Sequence, residues 1–459
     1  MPVVSVFLTI TLFAVVFYLW TKYHSLIHPL FIISALLFLS SLCVSVNYLF
    51  FKVDIGFLTY IVVVLSVFFW LIGDNIAENT VPRTRKINES YPELRINKLG
   101  VFIGIGINLI NTYFLYRNFV RVGQALGGTN FISYFGLVRL YLTEIQNGLT
   151  SDSYNFELSS VWSSINATAQ AFAFVSILLY IYNLSFANKK QSHLLVIFLV
   201  FVPSLIFNTS RAIFLQIFAT LIVPGILIYY KKSGVGKQKK LIKVMSLLFV
   251  SFFFVFSLIG LIRSGFYEDS GYIQDSFNSL TKYLGSPIIG IDYLLNSNYQ
   301  ISDYFARETC PIIYTILEKI GFTFPKQAFH FTTFPCGDDV SNVYTALRDP
   351  ILDFGILGML VTRILLGFIY GYIYRRALYY THASKVHVFV LFGVVMFPIV
   401  FYFFADVFYY LTNVDFFTTV ITLFLINRLF IKKHKEKLKR SFQNGKLPPS
   451  AILEPINQD

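Results

Sequence analysis

The run VVSVFLTITLFAVVFYLW, residues Val3–Trp20, holds no charged side chain and is closed by Lys22. Wound as a helix at about 1.5 Å per residue, such a run reaches across most of a hydrocarbon layer about 30 Å thick. No basic residue precedes its apolar part and no small-residue cleavage pattern follows it, so a retained span is expected rather than a removed signal peptide. Similar runs recur up to Ile431, and only 13% of the 459 residues are charged against 56% hydrophobic. A soluble domain carries about 25% charged residues, so lipid is the expected solvent.

Reading the apolar runs in order gives eleven expected spans, near 3–20, 29–50, 56–73, 99–116, 160–184, 194–207, 212–230, 244–262, 351–373, 387–405 and 412–431. The expectation is an all-α polytopic membrane protein, one transmembrane domain over 1–431 followed by a basic tail at 432–459. Lys and Arg sort between alternate loops. Lys22, the Arg83–Lys98 segment, Lys189 and Lys190, Lys231–Lys243, Arg375–Lys385 and the tail from Arg428 hold 25 of the 37 basic residues. The positive-inside bias then places these loops in the cytoplasm, the amino terminus outside and the carboxyl terminus inside. The net charge of +13 is on this reading a topology signal, and the tail KKHKEKLKR suits anionic lipid, not nucleic acid.

On the opposite side the chemistry of the basic residues changes. Seven of eleven are arginine: Arg117, Arg121, Arg139, Arg211, Arg263, Arg307 and Arg348, against seven of twenty-five on the cytoplasmic side. Orientation requires only positive charge, whereas a planar guanidinium fork grips phosphate or carboxylate oxygens. Arg211 follows Asn208, Thr209 and Ser210 in a short polar gap that opens a helix outward, where orphan amides and the helix dipole favour an anion. Arg348 stands before Asp349 and Pro350, an expected N-cap and first-turn pair, with Asp353 one turn on to orient it. Arg263 closes the eighth expected span at the same level, and Arg363 falls inside the ninth, where it must face protein or water.

Two external segments are long, about 117–158 and 263–350. The first suits an interfacial helix carrying Ile132, Leu137, Leu140 and Leu142; the second holds apolar stretches at Ile288–Leu295 and Ile312–Phe322, read as short amphipathic helices on the membrane surface. Cys310 and Cys336 share the second segment, where a disulfide or two thiols are equally open. Gly100, Gly104, Gly106, Gly367 and Gly371 look like helix-packing positions. The sequence has no Walker-type loop, HExxH, CxxC, GxSxG or Asp-x-Asp, so no metal or cofactor is expected.

The run SNVYTALR at 341–348, followed by Asp353, Phe354, Gly355 and Gly358, resembles the signature of the Wzy-type oligosaccharide repeat-unit polymerases, as do the Thr209–Arg211 turn and the long late loop. That resemblance implies a GT-C-like, inverting glycosyltransferase of the bacterial inner membrane. It would join undecaprenyl-diphosphate-linked oligosaccharides, donor and acceptor, at the periplasmic face in O-antigen synthesis, beside a flippase and a chain-length regulator. Arg211, Arg263 and Arg348 would stabilise the departing diphosphate. Ser210, Asn342, Tyr344, Thr345, Asp353, Arg117, Arg121 and Arg139 would bind substrate, and His330, Asp338, Asp339 and Asp349 are candidate bases. Members are commonly drawn with both termini cytoplasmic, so an external amino terminus departs from the family. A lipid-linked oligosaccharide flippase is the alternative, favouring internal repeats and short loops that the sequence lacks. An O-antigen ligase is a third reading.

Overall fold

The computed structural model describes residues 3–81, 92–146, 160–207, 216–234, 272–297, 299–324, 333–337 and 339–433. Predominantly apolar runs wind into α1 (Val3–Tyr23), α2 (Pro29–Val46), the short α3 (Tyr48–Phe51), α4 (Phe57–Thr80), α5 (Lys98–Ala125), α6 (Phe131–Gln146), α7 (Ser160–Tyr182), α8 (His193–Phe207) and α9 (Val223–Ser233). They continue with α10 (Tyr272–Asn296), α11 (Ile312–Lys319), α12 (Arg348–Arg375), α13 (Val386–Phe401) and α14 (Val414–Leu429). Among the described residues six helical runs are long and apolar enough to cross a bilayer: α1, α2, α4, α5, Val161–Ala187 and Arg348–Tyr380. The chain is thus a helical, multi-pass membrane protein. The expected span at 244–262 lies outside the described residues, as does the tail from 434.

The tightest pairing is that of α4 with α12. A Cβ on Gly73 would fall 2.0 Å from the Ile364 carbonyl oxygen, and one on Gly367 would fall 2.3 Å from the Trp70 carbonyl oxygen, so only glycine permits this backbone approach. Without a hydrophobic drive between helices in lipid, such close packing supplies the association energy. Gly371 meets Asp74 in the same seam and Gly104 packs on Phe172 and Ile197, whereas a Cβ on Gly106 would have nothing within 4 Å, so no close approach requires glycine there.

Polar cross-links divide the bundle into two ends. At the basic end, buried Asp74 of α4 accepts from Arg375 Nη1 and Nη2 of α12 at 2.8 and 3.0 Å and from Tyr23 Oη of α1 at 2.5 Å. His28 stacks on Tyr23 with ring centroids 3.7 Å apart. Lys231 Nζ donates to the Thr381 carbonyl, and strands β1 (Leu94–Ile96) and β4 (Ile431–Lys433) pair antiparallel, Arg95 opposite Lys432. At the long-loop end, Asp54 accepts from the backbone of Val4 and Ser5, and Asp292 accepts from Gly56 N at 2.6 Å and Thr59 Oγ1 at 2.7 Å. Segments that the charge pattern assigns to one side of the membrane are therefore bonded to one another.

Removing one partner of a buried ion pair leaves an uncompensated charge, at a cost of about 3–5 kcal/mol. Asp74→Ala takes from Arg375, whose side chain is 6% exposed, its bidentate partner and leaves it only the longer contact to Glu78 at 3.5 Å, so the cost falls toward the lower end of that range. The thermal midpoint of the detergent-solubilised variant is expected to fall well below the wild type; an unchanged midpoint would show the network inert.

Two expectations about the long segments are corrected, and one open choice is decided. The α5 helix runs to Ala125, past 116, so Arg117 and Arg121 are helical residues and no loop begins at 117. The stretch Ile288–Leu295 belongs to the 25-residue α10, with Ile288, Ile289 and Ile291 at 0–2% exposure against α2 and α4; it is core, not a surface helix. Its one acid, Asp292, turns inward to accept from the Gly56 amide at the N-cap of α4 and from the Thr59 hydroxyl. Cys310 and Cys336 are not joined by a disulfide.

Candidate functional site

The stretch 341–348 is bound at both sides before it reaches Arg348. Strand β3 (Asp339–Ser341) pairs antiparallel with β2 (Phe334–Cys336), Cys336 opposite Asp339. Ser341 Oγ donates to Ser286 Oγ of α10 at 3.0 Å. Tyr344 is buried edge-on to Phe334, centroids 5.0 Å apart. Ala346 N donates to the Tyr402 carbonyl at 2.8 Å, and the Ala346 carbonyl accepts from Arg363 Nη2 at 3.0 Å. Arg363 is 0% exposed, its guanidinium 5.3 Å from the Tyr402 ring centroid. A charge that hydropathy places mid-span thus secures the backbone of the signature stretch to the loop after α13.

Arg348 opens α12 but not in the expected manner. The cap is Leu347, in helical geometry with no side-chain cap bond; Thr345 Oγ1 instead accepts from Leu347 N at 3.2 Å and the Thr345 carbonyl from Arg348 N at 3.1 Å. Asp349 is not the N-cap. It accepts from Arg348 Nη1 at 3.0 Å, and the guanidinium lies 5.1 Å from the Tyr344 ring centroid. Both side chains of the pair are about one-seventh exposed, at 15% and 14%, which keeps the charge accessible while the ring and carboxylate fix its plane.

Asp353 does not orient Arg348. Its carboxylate accepts from the backbone of Glu308 at 3.0 and 3.1 Å and of Thr309 at 2.7 Å, tying the late loop to α12. Two residues on, Gly355 breaks the helix at φ 67° and ψ −176°. The first turns, 348–354, are therefore a separate polar-tipped segment, and the Leu352 carbonyl accepts from Ser302 N at 2.7 Å. Broken helices in membranes persist where protein or water satisfies the released groups. Here the loop does so.

The structure brings in one acid that sequence reading missed. Asp406, in the short connection after α13, accepts from Phe408 N at 3.0 Å. Burial pushes its carboxyl up to about 6, against the pull of the Arg363 charge and then Arg348. The charges of Asp406, Arg348, Glu308 and Asp353 also act on Asp349, so Arg348 and Arg363 share one electrostatic neighbourhood with these four acids. Its only sequence signal was an acid inside the otherwise apolar FYFFADVFYY.

Of the other expected site residues, Asn342 is exposed, while Tyr344 and Thr345 are buried and serve the stretch itself. Arg117 and Arg121 are on α5, Arg121 Nη2 bonding Asn118 Oδ1 at 2.7 Å, and Arg139 is half-buried on α6 within electrostatic reach of Tyr283. They stand on a different hairpin from Arg348. Ser210, Arg211, Arg263, His330 and Asp338 lie outside the described residues, as does the side chain of Asp339.

No family model, curated protein or solved structure matches the chain. A rigidly held, partly exposed guanidinium can bind an oxyanion, and a carboxylate with a proton affinity near neutrality can accept a proton.

Proposed function

We propose that this chain is a metal-independent glycosyltransferase that polymerises lipid-linked oligosaccharide repeat units at the outer face of a bacterial inner membrane, with eleven spans in a GT-C-like bundle. The observation that carries the reading is Arg348, seated between Tyr344 and Asp349 at the tip of a broken helix, with Asp406 in the same neighbourhood. It stands within the SNVYTALR run whose resemblance to the Wzy-type polymerases gave the expectation.

In the proposed reaction a hydroxyl of the acceptor glycan attacks the anomeric carbon of the donor. A new glycosidic C–O bond forms, the bond from that carbon to the diphosphate breaks, and the diphosphate leaves with the electron pair. Arg348 holds the negative charge that grows on the departing oxygens. Asp406 takes the proton of the attacking hydroxyl. Arg211 and Arg263 would add positive charge from the same side.

Deleting the chain in a cell that makes polymeric surface glycan tests this against its neighbours. A polymerase mutant leaves single repeat units capping lipid A. Loss of all units points to a flippase, and accumulation of lipid-linked polymer points to a ligase; either result would overturn the assignment.

A further inference from the structure

Among the described residues, the segment 299–324 presents a large apolar surface that the rest of the protein leaves largely exposed. Ile301 is 53% exposed, Phe305 77%, Ile316 53% and Ile320 68%, and none of the eight residues of α11 is buried. Water is a poor neighbour for so much contiguous hydrocarbon. The segment is nevertheless ordered within itself. Tyr314 Oη donates to the Phe305 carbonyl at 2.6 Å, and the rings of Tyr304, Tyr314 and Phe324 pack with centroids 5.0–6.1 Å apart.

The surface is continuous with a face that lipid must cover. Beyond the Gly355 break, α12 turns Leu357, Val361 and Leu365 outward at 80%, 55% and 57% exposure, a four-residue repeat along a membrane-spanning helix. Phe305 meets Phe354 at 5.4 Å between ring centroids, and a Cβ on Gly355 would lie 3.2 Å from Ile301 Cδ1. The apolar stripe therefore passes from α12 onto the loop without a polar gap. Arg307 rests over Tyr304 at 4.9 Å, the pairing of a cation and a ring that suits the headgroup boundary.

We infer that residues 299–324 form a strap embedded in the phospholipid leaflet at the long-loop end, where it fixes the Arg348 turn at the level of the lipid headgroups. The strap holds that turn through three backbone amides, Ser302 N to the Leu352 carbonyl and Glu308 N and Thr309 N to Asp353. Its apolar face anchors in acyl chains as an interfacial helix does. An anion meeting Arg348 is accordingly delivered from the bilayer plane. The inference stands without the polymerase reading, because the embedding concerns the strap and not the reaction.

The test places a photoreactive residue in the full-length protein, Phe305→p-benzoylphenylalanine or Ile316→p-benzoylphenylalanine, with Leu357→p-benzoylphenylalanine as the bilayer-facing reference. The protein is reconstituted in vesicles of phosphatidylethanolamine and phosphatidylglycerol, illuminated, and weighed intact. Phospholipid adducts at 305 and 316 are expected within about twofold of the yield at 357. Should 305 prove intolerant of the bulk, Ile320 provides the same readout. Adducts at 357 alone, or protein–protein adducts at 305 and 316 that mark a second copy on this face, would overturn the inference. Because the readout is a mass and not an activity, it can fail while the polymerase reading survives, and the reverse.

Discussion

Arg348→Ala is expected to slow glycan elongation by about 10²–10³, the cost of deleting one preorganised group that stabilises charge in the transition state. The size of the effect follows from how the side chain is held. Tyr344 beneath the guanidinium and Asp349 at 3.0 Å fix its plane before any ligand arrives, so little reorganisation is needed when charge develops. Arg348→Lys should recover only part of the loss, because an ammonium keeps the charge but neither stacks on Tyr344 nor offers two parallel donors. The measurement is polymer length and rate in membranes from cells carrying each variant, read beside the thermal midpoint. The alanine variant should still fold, with a midpoint lowered by the loss of the Asp349 pair, since the helix-start contacts of Leu347, Thr345 and the Arg348 backbone remain. Full chain length from a well-folded Arg348→Ala protein would remove the residue from the site.

Asp406→Asn should be comparably damaging, about 10²–10⁴ in rate if the carboxylate is the proton acceptor. Asparagine keeps an oxygen for Phe408 N, so the turn at Phe408–Thr412 is retained and only the proton affinity is lost. The pH profile carries the sharper signature. Burial favours the neutral carboxyl and raises its midpoint to about 6, against the Arg363 charge. A base must be ionised, so wild-type elongation rises with pH through that value and falls below it. In Asp406→Asn the limb near 6 disappears along with most of the rate. A variant that keeps both would assign the limb to another group and make Asp406 a structural acid.

How much of this was readable in advance differs by residue. The apolar runs behind α1, α2 and α4 declare themselves by length and lack of charge, and the grouping of lysines anticipates that Leu94–Ile96 and Ile431–Lys433 share one end. The break at Gly355 is not legible from hydropathy, because Ile351–Ile373 carries only two charges, Asp353 and Arg363, and reads as a single span; only the backbone angles reveal the separate turn. The stretch Ile288–Leu295, with Asp292 in it, misled for a related reason. One acid in an apolar stretch looks like the wet face of a surface helix, while its true partners, Gly56 N and Thr59 Oγ1, are more than two hundred residues away in sequence. Arg363 needed the same non-local information, since its acceptor is the carbonyl of Ala346 in the loop that the sequence had singled out for other reasons. Arg348 itself was found because charge type, position at a helix start and the surrounding run all pointed to one residue.

The central claim is that the chain itself joins repeat units. It is tested most directly by purified wild-type protein in vesicles supplied with a diphosphate-linked oligosaccharide on a polyprenyl lipid. The predicted result is a ladder of products spaced by one repeat unit, with one lipid diphosphate released for each bond formed and no ladder from Arg348→Ala. Folded wild-type protein that leaves the units unjoined, whether or not it moves them across the membrane, would contradict it.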